Sequence, residues 1–126
     1  TFAKEQKVEK AEEVLDLSLE KMPLKDFESY QYALDYPQLY YAINKKEKAR
    51  KVAETLIAIF QEKLNWHATF NNNDLNWVSD DMNASFYMYT NVLEQVRKFD
   101  TELYFKKMEE DFNEIVRLFN HLIPEE

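Results

Sequence analysis

The chain contains no glycine and no cysteine, only three prolines, and no apolar run longer than five residues. Each shortage excludes something. Hairpin turns, strand bulges and phosphate-cradling loops rely on glycine for its positive φ, so a β-rich fold and a glycine-rich nucleotide loop are both excluded. Without cysteine there is no disulfide framework and no thiolate nucleophile. The runs "LYYAI" and "LIAIF" fall far short of a membrane span. Basic residues are outnumbered too: 16 Lys and Arg face 24 Asp and Glu, a net charge of -8. Nucleic acid is therefore not an expected partner, because phosphate contacts need a surplus of cations.

What is present is ample for a core. Hydrophobic residues make up 45% of the 126 residues and aromatic ones 15%. That suits a single domain over 1–126 that buries roughly two-thirds of its unfolded surface. The chain opens at Thr1 rather than Met, so it is expected to be a piece excised from something longer.

Apolar residues recur at helical spacing almost throughout. Val8, Ala11, Leu15, Ser18 and Met22 mark a helix over Lys4–Met22, stopped by Pro23 because the residue before proline avoids helical geometry. Asp26 is positioned to cap a second helix through Phe27, Tyr30, Ala33 and Leu34, and Pro37 kinks or restarts it. Ala49, Val52, Ala53, Leu56, Ile57, Phe60 and Leu64 predict a long helix over Lys45–His67. The polar stretch "FNNNDLNWVSDD" is a loop, with Ser79 or Asp80 as the next cap. Two further helices follow, one through Met82, Phe86, Tyr89, Val92, Leu93 and Val96. The other starts from an Asp100 or Thr101 cap, runs through Leu103, Met108, Phe112, Ile115 and Val116 to Phe119, and ends before Pro124. About five helices and no strand define an all-α fold in antiparallel hairpins.

The order small, large, small, proline at Ala11, Leu15, Ser18 and Pro23 is the second-helix signature of a tetratricopeptide repeat. Small side chains let two helix axes approach closely. Tyr40, Asn44, Ala49 and Ala53 match the middle of the same repeat, with Asn44 where glycine usually forms a left-handed cap. The predicted architecture is a short tetratricopeptide-like superhelix. Ala11 and Ala49 lie 38 positions apart against an ideal of about 34, so an irregular four- or five-helix bundle stands as the alternative.

"AEEVLDLSLEKMPL", "YPQLYYAINKKEKARKVAETL" and "YMYTNVLEQVRKFDTELYFKKMEEDFNEIVRLF" together resemble the soluble C-terminal region of the domain-of-unknown-function 2723 family. Those are large bacterial multi-pass membrane proteins, similar to protein O-mannosyltransferases of the GT-C type. The resemblance spans roughly Lys7 to Phe119, and departs where Asn44 replaces the family's glycine and in the aromatic "SFYMYTNVL". It implies an extracytoplasmic, periplasmic appendage of a membrane glycosyltransferase, whose catalytic carboxylate would lie elsewhere. No catalytic residue is carried over.

Chemistry sought directly in the residues is sparse. Asn72, Asp74, Asn76, Val78, Asp80 and Asn83 alternate like calcium ligands, but Trp77 stands where an EF-hand needs glycine and Asn83 where it needs glutamate. His67 and His121 lack ligand spacing and read as helix-end residues facing the carbonyl dipole. Adjacent carboxylates such as Glu12–Glu13, Asp80–Asp81 and Glu109–Glu110 face apart on a helix. No metal and no cofactor is expected, and the domain reads as non-catalytic.

The aromatic residues of the middle hairpin are mainly core, with Tyr40 in the seam and Tyr41 retaining a claim to the surface. In a tetratricopeptide-like register counted from Tyr40, the groove-facing residues are Gln31, Leu34, Gln38 and Tyr41. They are the candidate contacts for a protein or peptide partner, or for the parent membrane domain. The function expected is interaction or scaffolding, without membrane insertion by this segment. The alternative is a free-standing acidic helical protein of the immunity or inhibitor type that engages a basic partner.

Overall fold

A computed structural model describes residues 2–22, 24 and 27–120. Among them there is no strand, and the helices are α1 (Phe2–Lys21), α2 (Phe27–Tyr32), α3 (Tyr36–Ala42), α4 (Lys46–His67), α5 (Ser79–Phe99) and α6 (Glu102–Arg117). A 3₁₀ turn over Ala33–Asp35 joins α2 to α3, so 27–42 is one interrupted helix. That leaves five helical segments packed against one another, the all-α architecture that the periodicity predicts. Pro23, Asp26, His121 and Pro124, expected as stops, cap and helix-end residue, lie outside the described residues.

The interruption follows from Pro37. Proline has no N–H to offer the carbonyl of Ala33, four residues back. The Tyr36 N–H reaches that carbonyl instead, which tightens the turn to 3₁₀ geometry. At the far end of α3, Asn44 adopts φ 60 in the left-handed region, as its position predicts. The Lys45 N–H then reaches the Tyr40 carbonyl at 2.9 Å and the Asn44 N–H that of Tyr41 at 3.0 Å. Together they close a Schellman cap.

The caps divide. Thr101 caps α6, its hydroxyl accepting from the Tyr104 N–H at 3.2 Å, and Asp100 turns inward. Neither Ser79 nor Asp80 caps α5, contrary to expectation. Val78 occupies that place, and Ser79, Asp80 and Asp81 fall inside the first turn, where carboxylates favour the helix dipole.

The core lies between α4 and α5. Leu56, Phe60, Leu64, Tyr89, Val92 and Val96 are fully buried there, with Tyr30 and Tyr89 ringing Phe60. Ala49 and Ala53, also fully buried, let α3 approach α4 closely enough to seat Tyr40. From α3 onward the helices pack on the next and the next but one: α3 on α4 and α5, α4 on α5 and α6. At one end α1 lies against α3, and none of its residues is fully buried.

Candidate functional site

Three polar clusters hold the helices in register, and they decide which side chains remain available. Asp100 extends the chain between α5 and α6 with its carboxylate wholly inaccessible to solvent. Arg50 of α4 donates to it twice, Nη2 to Oδ1 at 2.6 Å and Nε to Oδ2 at 2.9 Å. The Tyr41 hydroxyl adds a bond at 2.5 Å and the Thr101 N–H one at 2.6 Å. Burial alone raises the pKa of this carboxyl, but these donors outweigh it and hold it well below the usual carboxylate range. Burial, reinforced by Asp100, pushes the Tyr41 phenol far above its ordinary value. Above the pair, the Arg50 guanidinium lies 4.1 Å from the Tyr104 ring centre, and Tyr104 donates to Glu54 at 3.0 Å.

The second cluster repairs the interrupted helix. In a continuous α-helix the Gln38 N–H would pair with the Leu34 carbonyl. Here Gln95 of α5, only 5% exposed, inserts its amide between them. Its Oε1 accepts from the Gln38 N–H at 2.9 Å and its Nε2 donates to the Leu34 carbonyl at 2.8 Å. The same Nε2 also donates to Asn91 Oδ1 at 2.8 Å. Glutamine is suited to the place because one planar amide offers both a donor and an acceptor.

The third cluster ties α1 to the hairpin. Lys48 bridges Glu12 at 2.7 Å and Asp16 at 2.6 Å, and the Tyr40 hydroxyl donates to Asp16 at 2.7 Å. The Lys48 and Tyr40 hydrogen bonds lower the Asp16 pKa, and Asp16 and Glu12 raise that of Lys48. Elsewhere His67 closes α4 as expected, yet its ring is turned inward, with Nε2 2.8 Å from Asp81. Lys63 meets the same carboxylate at 3.1 Å. No group of three or more metal-ligating side chains occurs among the described residues.

Against these clusters, the four groove residues expected from sequence separate. Gln31 and Gln38 are exposed, whereas Leu34 at 9% and Tyr41 at 8% are buried. The assignment of Leu34 and Tyr41 to a partner surface is therefore corrected. A straight helix turns about 100° per residue and a 3₁₀ turn about 120°. Three residues of 3₁₀ geometry rotate the helix before Tyr36 by roughly 60° against the face counted from Tyr40, which puts Leu34 out of phase. Tyr41, next to Tyr40 in α3, is instead drawn inward by its bond to Asp100.

The groove itself runs beside that face, between α3 and α5. It is an open depression of about 430 Å³, lined mainly by polar surface. Asp35 and Gln38 form one wall; Tyr87, Asn91, Glu94 and Lys98 form the other; Gln95 lies in the floor. The α5 residues were missed, although positions 87, 91, 94 and 98 repeat at the four- and three-residue steps of one helix face. Tyr87 is 68% exposed, the reverse of the buried Tyr40 and Tyr41.

No family model, no curated protein and no solved structure matches the chain.

Proposed function

We propose that the chain is a non-catalytic helical interaction domain that holds an extended peptide segment in the polar groove between α3 and α5. The observation that carries this reading is the chemistry of the groove. Gln38 offers a donor and an acceptor, as the backbone of an extended peptide requires. Asn91, whose Oδ1 already accepts from Gln95, offers its amide N–H groups, and Tyr87 supplies a rigid amphipathic contact. Lys98 against Asp35 and Glu94 adds charges of both signs for orientation. Tyr41, Arg50 and Asp100 are paired with one another, which favours a structural role for them over acid–base work.

A tetratricopeptide-like array supports the same reading. The next and next-but-one packing of the helices, the small residues Ala49 and Ala53 at a crossing, and Asn44 at the hairpin turn all agree with that repeat. In such an array the first helices of the hairpins, here 27–42 and α5, line a common face. The family resemblance adds the proposal that this face serves a membrane glycosyltransferase on its extracytoplasmic side. No described helix is long and apolar enough to cross a membrane.

Peptides selected from a displayed library against the whole chain test the reading. Tyr87→Ala and Asn91→Ala are expected to weaken the selected peptides at least tenfold, and Gln31→Ala to leave them unchanged. Equal binding by all three variants refutes the groove. Tyr41→Ala is unsuited to this comparison because the ring is structural.

A second reading rests on one shallow depression along α1, where Glu9, Glu13 and Glu20 stand beside Glu12 and Asp16, the latter two already paired with Lys48. It is a surface for a basic partner, as an inhibitor-type protein would use. Its mark is steep weakening with salt, since exposed charges are screened beyond about 10 Å at 0.1 M ionic strength.

A further inference from the structure

The helices form a ribbon in which each place is repeated. α3 lies against α4 and α5, and α4 lies against α5 and α6. Before α1, which lies against α3, the same order leaves a place against both α1 and α3, and nothing among the described residues fills it. What stands there is an open groove of about 560 Å³ whose lining is almost wholly apolar. Ala11, Val14 and Leu15 of α1 form one side; Leu39, Ala42 and Ile43 form the other. The small residues Ala11 and Ala42 give it the shape that admits a helix axis at close range, as Ala49 and Ala53 admit α3. Val14 is 58% exposed and Leu39 42%, a high price for apolar side chains with no cover.

Charge specifies the occupant further. Lys7 and Lys10, three residues apart on α1, are the only charged side chains among the described residues that line the groove. No ion pair of the described residues uses either of them. They form a small basic rim on a chain whose net charge is -8.

The geometry points to a docking site between α1 and α3 for an amphipathic helix whose apolar stripe is flanked by carboxylates. Its apolar stripe covers Val14, Leu15 and Leu39, and its acidic flank meets Lys7 and Lys10. This is recognition of a helix in a groove, by anchors three and four residues apart. It is independent of the polar groove between α3 and α5, which takes a different chemistry on another face.

The sign of the charge preference makes the test sharp. Two synthetic peptides of about 18 residues share one leucine and alanine stripe at helical spacing. One carries glutamate along its flank, the other lysine. A surface read through net charge alone favours the lysine peptide, since the chain is strongly acidic. The α1–α3 site favours the glutamate peptide instead, by at least tenfold at low salt. Titration into the isotope-labelled whole chain should move the amide resonances of residues 7–15 and 39–43. The double substitution Lys7→Glu, Lys10→Glu should invert the preference. Val14→Asp, at an exposed position, should weaken both peptides while leaving the melting temperature within a few degrees. Preference for the lysine peptide, resonance shifts centred on Tyr87 and Asn91, or loss of sites to self-association at rising chain concentration would each overturn the assignment.

Discussion

Substituting Asp100 tests the reasoning most severely, because one carboxylate gathers donors from α3, α4 and the start of α6. Asp100→Ala removes two bonds from Arg50 and one each from Tyr41 and Thr101. Breaking a buried ion pair by deleting one partner costs about 3–5 kcal/mol, because the other charge is left uncompensated. The Arg50 side chain retains 24% exposure and the Tyr104 ring, so it recovers some hydration. The Tyr41 hydroxyl cannot, and an unpaired buried group costs about 1–3 kcal/mol. The expected loss is therefore near the lower end of the pair figure, about 3 kcal/mol. In a chain of this size that lowers the melting temperature by about 10 °C.

Acid sharpens the expectation. The folded pKa of Asp100 lies below its unfolded value of about 3.9, so its stabilisation is fully present above that pH. As pH falls from about 5 toward the folded pKa, that stabilisation is lost, at no more than about 1.4 kcal/mol per pH unit for one proton. Urea unfolding of wild type and Asp100→Asn across this range should show the difference between them shrinking as the solution is acidified. Glu12 and Asp16 also have lowered values, but they titrate in both proteins and cancel in the difference. A cost under about 1 kcal/mol for Asp100→Ala, or a difference that ignores pH, would refute the cluster as described.

Gln95→Leu strands the Gln38 N–H and the Leu34 carbonyl, with an expected cost of about 2–3 kcal/mol by chemical denaturation. Adding Pro37→Ala should return part of it, because a restored helix pairs those groups directly; strict additivity of the two substitutions would show that Gln95 does not bridge the break. Asn44→Gly should stabilise by up to about 1 kcal/mol, since glycine enters the left-handed region without a Cβ penalty, and Asn44→Ala should destabilise by a similar amount. Loss of stability on Asn44→Gly would contradict the cap.

Much of this fold was legible because its determinants are local. The period of 3.6 residues marks α4, α5 and α6, and the substitution of asparagine for glycine at position 44 is enough to place a left-handed cap. What was hidden depends on residues distant in sequence. Asp100 meets Tyr41 across 59 positions and Gln95 meets Leu34 across 61. No local pattern encodes either pairing. The turn of 3₁₀ helix before Pro37 was a hidden determinant of another kind. Pro37 itself announces a break, but the sequence does not say whether the face across it continues in phase or is rotated. The groove assignment of Leu34 failed at that step, while that of Tyr41 failed on the distant pairing with Asp100.

The hidden pairings also explain which polar residues remain free to bind. Tyr40 and Tyr41 each have a carboxylate across the interface, Asp16 and Asp100, and both are drawn inside. Tyr87, which lines the same groove as Asp35 and Glu94, stays 68% exposed. The amides divide in the same way. Gln95 is fixed by three bonds in the floor, one of them to Asn91 Oδ1, whereas the Gln38 side chain and the amide nitrogen of Asn91 stand on the walls it joins. A floor locked to both walls limits the ordering that a bound peptide must impose, which is how preorganisation raises affinity without further contacts. In the proposed mode of peptide binding, Gln95 links stability to binding. Its replacement by leucine should loosen the spacing of α3 and α5 and weaken groove peptides even at temperatures where the chain stays folded.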